Sequence, residues 1–235
     1  MDIVLSELEA AGFLRVARIN RGALVVHCVP GAGKSSLIRR LLERSTIFVA
    51  YTFGVPDPVN LTGRRILSAS DFSPPSASDF ILVDEYTEGD WESLCPRVIF
   101  GDPCQSIKVQ TSLIADFVCN RTRRFGDSTC KLLRSFGFDI HSDLEDCVTI
   151  KSAVGSDYSG ELIVGDKEAA EFATSHGADF KNFCSVRGST FKEVTLLTSF
   201  ESIPDELRAQ FYICLTRHQE KLTILVPDAV FGPSR

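Results

Sequence analysis

Apolar residues at Met1, Val4, Leu5 and Leu8 recur at helical spacing and stop at Gly12, which predicts an N-terminal helix. The rhythm then changes. Residues 24–29 form a short, almost continuous apolar run, the pattern of a strand buried on both faces of a parallel sheet. A helical pattern follows over 36–44 and a second strand over 47–51, while 53–75, rich in Gly, Pro and Ser, reads as irregular. Apolar runs at 80–83 and 97–100 predict two more strands, the first bounded by Asp79 and Asp84, the second ending at Gly101-Asp102-Pro103. A second series comprises strands at 162–164, 194–197 and 222–226 with helices at 167–176 and 204–215. Strands alternating with helices predict an α/β fold, here in two units, 1–118 and a smaller 119–235.

Length suits this division, since 235 residues allow two compact units of about 115 residues each. With 44% apolar and 24% charged residues, the chain has the composition of an ordinary globular protein. A net charge of −6 argues against a generally basic nucleic-acid coat. The charge is segregated, however. Residues 1–65 carry nine Lys/Arg against five Asp/Glu, and 117–134 five against one; 66–116 carry two against nine, and 135–185 three against ten. The two basic stretches are candidate holders of a phosphate backbone, with solvated mixed-sign faces as the alternative. Eight cysteines without a Cys-x-x-Cys pair, and four His, argue against both a zinc site and a disulfide framework. With no secretory signal in view, reduced thiols in a cytosolic compartment are expected. No apolar run approaches the ~18 residues needed to cross a bilayer, so any membrane association is expected to come through a partner.

The candidate chemistry begins at Cys28-Val29-Pro30-Gly31-Ala32-Gly33-Lys34-Ser35-Ser36, a strand running through a glycine-rich turn into a helix. Residues Pro30 to Ser36 are the candidate nucleotide-binding loop: small residues let the backbone N–H groups of 31–36 close around phosphates, and the helix N-terminus adds positive potential. Lys34 would reach the β- and γ-phosphates of ATP and Ser35 would ligate Mg²⁺. The signature usually has glycine where Cys28 stands. Because Lys34 is read as packing no core, its loss is expected to spare the fold. At the carboxyl end of the 80–83 strand, Asp84 is the second candidate Mg²⁺ ligand and Glu85 the candidate general base for water. After the next strand, Gln105 is placed to bond both the γ-phosphate and the attacking water; a surface Gln on a Gly-Asp-Pro turn is the plainer reading.

Together these three motifs resemble superfamily 1 helicases, whose signatures include Asp-Glu at one strand end and Gly-Asp-x-x-Gln at the next. Thr122-Arg123-Arg124-Phe125-Gly126 is similar to the fourth motif of that family. Val186-Arg187-Gly188-Ser189-Thr190-Phe191 resembles the fifth, with Arg187 where Gln is usual, and Tyr212-Ile213-Cys214-Leu215-Thr216-Arg217 resembles the sixth. The short chain, the opening Met1-Asp2-Ile3 and Ala50-Tyr51-Thr52-Phe53-Gly54-Val55-Pro56-Asp57 are similar to the first triple-gene-block movement proteins of flexible filamentous plant RNA viruses, of potexvirus and carlavirus type.

That resemblance implies a compact helicase core of two RecA-like parallel-sheet units. Arg124 and Arg217 become candidate arginine fingers, with Arg123 the alternative to Arg124. Thr52, Gly188 and Thr190 become candidate contacts to single-stranded RNA. It further implies an NTP-hydrolysing RNA helicase that carries viral RNA through plasmodesmata from the host cytoplasm, enlarges those channels and suppresses host RNA silencing. Partners implied are the viral coat protein, the membrane-bound triple-gene-block proteins and further copies of the chain. A helicase serving viral replication is the main alternative; because the sequence starts at Met1 and ends shortly after its last motif, a stand-alone protein is expected instead. A non-enzymatic RNA-binding suppressor with a vestigial ATP site is the third reading, and the retention of Lys34, Asp84, Glu85, Gln105 and both arginines speaks against it.

Overall fold

The computed structural model describes residues 1–17, 22–74, 76, 78–107 and 113–233. Arg18 and Arg21 of the first basic stretch, and Pro75 at the end of the stretch read as irregular, lie outside the described residues. The chain divides into two compact units, Met1–Asn120 and Arg121–Arg235.

The first unit begins with α1 (Asp2–Ala10) and β1 (Leu14–Arg15). It continues through β2 (Leu24–Cys28), α2 (Lys34–Arg44), β3 (Phe48–Thr52) and β4 (Ile66–Ser68), and closes with β5 (Phe80–Asp84), β6 (Val98–Gly101) and β7 (Phe117–Cys119). These strands form one sheet in the order β1-β7-β2-β6-β5-β3-β4, parallel except for the β1–β7 pair at one edge. One face of β2 (Leu24, Val26, Cys28) packs with α1 and α2 through Val4, Leu8, Leu37, Ile38 and Leu41. Its other face contributes Val25 to a second cluster with Tyr51, Ile81, Val83 and Ile99. Burial on both faces is why these strands read as unbroken apolar runs. β4 falls inside the stretch expected to be irregular. It is three residues long with only Ile66 fully buried, too little apolar pattern to register.

The second unit contains α3 (Asp127–Ser135), β8 (Cys147–Ser152), β9 (Glu161–Val164), α4 (Lys167–Ser175), α5 (Phe183–Val186), β10 (Glu193–Leu197), α6 (Arg208–Leu215) and β11 (Lys221–Val226). Its sheet runs β8-β11-β10-β9 and is wholly parallel. The helix expected from residue 204 starts at Arg208; Pro204 is extended and Asp205–Leu207 make a single tighter turn. β8 escaped the sequence reading because, as an edge strand of Cys, Val, Thr, Ile, Lys and Ser, it has no fully buried residue.

Candidate nucleotide site and the candidate residues of the second unit

Parallel strands put the carboxyl ends of β2, β3, β5 and β6 on one edge of the first sheet, where open α/β sheets take ligands. β2 ends at buried Cys28, whose side chain belongs to the core on the α2 side; this is what stands in place of the usual glycine. The Val29 N–H donates to the Cys119 carbonyl at 3.0 Å, and the Ala32 N–H to the Val29 carbonyl at 3.2 Å. Gly31 (φ 79°) and Gly33 (φ 92°) adopt the left-handed conformation that a side chain resists. Gly33 also caps α2 and offers its first turn no side-chain acceptor, so those N–H groups face outward as a ready anion cradle. Pro30 and Ala32 are buried beneath the turn, Lys34 and Ser35 half-buried at its rim, and Ser36 exposed.

Two strands away, β5 delivers Asp84 and Glu85 to the same edge. Lys34 Nζ lies 2.7 Å from Asp84 Oδ1 and 2.5 Å from Glu85 Oε1. Burial alone would lower the Lys34 pKa, but the two carboxylates outweigh it and hold the ammonium well above its ordinary value. Burial raises the Asp84 pKa, against the pull of Lys34. Glu85 sits at φ 52°, a conformation unfavourable by about 1–3 kcal/mol for a residue with a side chain. The Asp84 carboxylate helps hold that turn by accepting from the Glu85 N–H at 3.0 Å.

β6 lies between β2 and β5, so the Gly101–Gln105 turn emerges between the phosphate loop and the acidic pair. Asp102, which the sequence reading left without a role, is buried and organises that turn. It accepts from the Cys104 N–H and from Gln105 Nε2, each at 3.0 Å, and so aims the candidate water-orienting side chain. Burial pushes its pKa up to about 6. His27 and Tyr86 were also missed: His27 Nε2 and Tyr86 Oη meet at 2.7 Å, joining the phosphate-loop strand to the turn after Glu85. Asp followed by Pro at a strand end was the available signal for Asp102; for the His27–Tyr86 pair there was none.

Thr52 faces Asp84 across the β3–β5 pair, but its side chain is buried and its hydroxyl accepts from the Gly54 N–H at 2.9 Å. The side chain thus shapes the Thr52–Gly54 turn. In the second unit, Gly188 (φ 78°) and Thr190 are exposed just after α5. The next residue, Phe191, donates its N–H to the Arg217 carbonyl at 2.8 Å. Arg217 is itself buried, its Nε bonded to the Ile213 carbonyl and its Nη2 to Thr216 Oγ1, both at 2.9 Å. Arg124 Nη1 donates to the Thr216 carbonyl at 3.1 Å. The two candidate fingers thus converge on one residue, Thr216, whereas Arg123 is exposed.

The basic stretches are largely engaged within the molecule. Arg39 pairs with Asp57, Arg40 and Arg44 with Glu7, Arg121 with Asp143, and Lys131 and Arg134 with Asp127. Arg64 donates to the Leu42 and Ser45 carbonyls.

A glycine turn at an open helix N-terminus, a lysine between two strand-end carboxylates and a buried Asp holding a Gln, all at one edge of a parallel sheet, define a phosphate-loop nucleotide-binding protein. The chain belongs to the viral superfamily 1 RNA helicase core domain family, whose model matches residues 24–226. Among proteins of known role, it is 47% identical over 234 residues to the movement and silencing protein TGBp1 of Poplar mosaic virus, covering 100% of both chains. It is 38% identical over 231 residues to the TGBp1 of Chrysanthemum virus B, covering 98% and 99%. Among solved structures, an arterivirus nonstructural protein 10 (helicase) in complex with DNA superposes with a TM-score of 0.58 at 16% identity. That match covers 94% of this chain but 62% of the arterivirus chain, and it shows the fold. No helix among the described residues is long and apolar enough to cross a membrane.

Proposed function

We propose that this chain is an RNA-binding NTPase of the helicase type that serves the cell-to-cell movement of viral RNA. The observation that carries the enzymatic part is the placement of Lys34 between Asp84 and Glu85 beneath an open helix N-terminus. The movement part rests on full-length likeness to proteins named for movement and silencing. Transport through plasmodesmata from the host cytoplasm, enlargement of those channels, silencing suppression and contacts with coat protein, membrane-bound movement proteins and further copies of the chain belong to the same proposal.

The residues fit Mg·ATP. The first-turn N–H groups of α2 and those of the turn from Gly31 onward would take phosphate oxygens, with Pro30 leading into that turn. Lys34 would exchange its carboxylate partners for the β- and γ-phosphates. Asp84 and Ser35 supply the hard oxygen donors that Mg²⁺ prefers, and the bound ion would neutralise charge developing on the phosphates. Freed of Lys34, Glu85 would accept a proton from water that Gln105, steadied by Asp102, orients toward the γ-phosphate. Arg124 and Arg217 would stabilise charge on the transferred phosphoryl group, a contribution worth about 10³–10⁵ in rate where such fingers have been measured. Single-stranded RNA would be held at the Thr52–Gly54 turn and at Gly188 and Thr190. The Phe191–Arg217 bond offers a direct mechanical path from RNA to the finger.

The test is ATP hydrolysis with and without single-stranded RNA for wild type and Glu85→Gln, with a parallel nucleotide-binding titration. Loss of hydrolysis with binding retained is expected. Undiminished hydrolysis in Glu85→Gln removes the general-base assignment.

A further inference from the structure

His218, the residue after Arg217, is completely buried, yet nothing in the chemistry above employs it. Its Nε2 lies 2.9 Å from Thr129 Oγ1, on α3, and 3.1 Å from Asp146 Oδ2, just before β8. The nitrogen facing a carboxylate carries the proton, so Nε2–H donates into this pair. Nδ1 has no partner among the described residues. An unbonded buried nitrogen is unfavourable by about 1–3 kcal/mol, so the ring is held here for its Nε2 side.

The partners are equally committed. Asp146 Oδ1 accepts from the Thr129 N–H at 3.2 Å, and the Asp146 carbonyl accepts from Ser128 Oγ at 3.0 Å. Burial would raise the Asp146 pKa, but bonds from His218, Thr129 and the Gly126 backbone hold it below the usual carboxylate range. Gly126 is pressed against this group so closely that a Cβ would fall 2.3 Å from the Asp146 nitrogen. On the other side the His218 ring packs on Phe125, with centroids 5.6 Å apart. Phe125 follows Arg124 as His218 follows Arg217. Each candidate finger is therefore adjacent in sequence to one member of a buried pair of rings in tilted contact, and both guanidinium groups bond Thr216.

We propose that Thr129, Asp146 and His218 form a buried clamp that sets Arg124 and Arg217 in register with each other, making His218 a positioning residue for phosphoryl transfer. This rests on the finger reading of the two arginines. The clamp joins α3, the start of β8 and the turn after α6, with the Asp146–His218 link spanning 72 residues of sequence. A displacement of about 1 Å at a transition-state contact is enough to lose about a hundredfold in rate, so a rigid anchor one residue from each finger has a kinetic consequence beyond folding.

The experiment measures ATP turnover, KM and nucleotide binding for His218→Leu, His218→Gln and Arg217→Ala, and for His218→Leu in the Arg217→Ala background, with thermal midpoints alongside. His218→Leu should lower kcat by about tenfold or more with KM within about twofold, while His218→Gln, which keeps a donor near the Nε2 position, should recover most of the loss. Because His218 acts through the finger, adding His218→Leu to Arg217→Ala should change kcat by less than about twofold. Wild-type kcat in a folded His218→Leu protein, or losses that multiply in the double variant, overturns the clamp while leaving the finger reading intact. Wild-type kcat in Arg217→Ala removes the finger reading and the clamp with it. If His218→Leu does not fold, Thr129→Val deletes one contact and leaves the Asp146–His218 pair; a lowered kcat that vanishes in the Arg217→Ala background supports the clamp, and an unchanged kcat refutes it.

Discussion

Lys34 Nζ stands 2.7 Å from Asp84 Oδ1, so the cation of the phosphate loop is already neutralised inside the protein by the carboxylate expected to hold Mg²⁺. The pair is nearly buried, with 13% and 7% of the two side chains exposed. Lys34 is absent from the apolar clusters, as expected, but its ammonium is held by two carboxylates. Its ammonium separates Asp84 from Glu85, and without it two carboxylates share one site.

Lys34→Ala should therefore lose stability at neutral pH, by about 3 kcal/mol, the usual size for breaking a buried pair by deleting one partner. The sign with pH follows from Asp84. Burial already raises its folded-state pKa, and loss of Lys34 raises it further. The variant is penalised where Asp84 must be charged and relieved as falling pH protonates it. Denaturant midpoints at about pH 8 and pH 5 test this; a pH-independent difference from wild type contradicts it.

Asp102 gives a second pH signature. Its pKa is about 6 when folded, against an ordinary value of about 3.9. The folded state holds its proton more tightly, so a stabilising contribution is present below about pH 4 and lost as pH rises through about 6. Asp102→Asn never ionises. Its stability relative to wild type should improve by up to about 3 kcal/mol between pH 4 and pH 7.5, whatever the fixed offset from altered hydrogen bonds. At the same time its ATP turnover should fall, because the amide keeps only one of the two acceptor oxygens that now serve Cys104 and Gln105 separately and puts a donor in place of the other. Thermal melts across that range decide the point, and a constant offset would count against the burial argument.

Gly126→Ala should destabilise the second unit by about 1–3 kcal/mol or more, as overpacking does. The added methyl would meet the Asp146 nitrogen and the Glu145 carbonyl carbon, both at 2.3 Å, and both are backbone atoms that cannot swing aside. A denaturation midpoint equal to wild type would show that the approach is looser than described.

RNA binding should be insensitive to base sequence and only moderately sensitive to salt. Binding through phosphates gives the first property. The second follows because Arg39, Arg40, Arg44, Arg121 and Arg134 are already paired with carboxylates. A slope of log K against log salt of about −1 to −3 is expected, equivalent to a few phosphates on a single strand. Titrations at several salt concentrations measure it; a zero slope rules out phosphate contact.

The phosphate loop was legible because its determinants are local: two glycines free to take positive φ, a lysine at the start of a helix, and an apolar run leading in. The acidic pair was legible for the same reason, a polar break ending a buried strand. What joins distant parts of the chain was not. The Arg124–Thr216 bond spans 92 residues, and nothing in either segment announces it. His218 reads in sequence as one more polar residue after a motif, and only tertiary structure shows it buried against Asp146. The structural part that Thr52 plays was equally hidden. A threonine after a strand looks available, yet its hydroxyl is spent on the turn it terminates.

An NTP-hydrolysing site built from Lys34, Asp84 and Glu85 should respond to RNA in its turnover. The most direct measurement is steady-state ATP hydrolysis by the full chain with Mg²⁺, with and without single-stranded RNA, for wild type and Lys34→Ala. RNA-stimulated hydrolysis is expected in wild type and a loss of about a hundredfold or more in the variant, since a preorganised cation on the transferring phosphate is among the largest single contributions to such a rate. Hydrolysis by folded Lys34→Ala within about threefold of wild type, about 0.65 kcal/mol in the barrier, would contradict it.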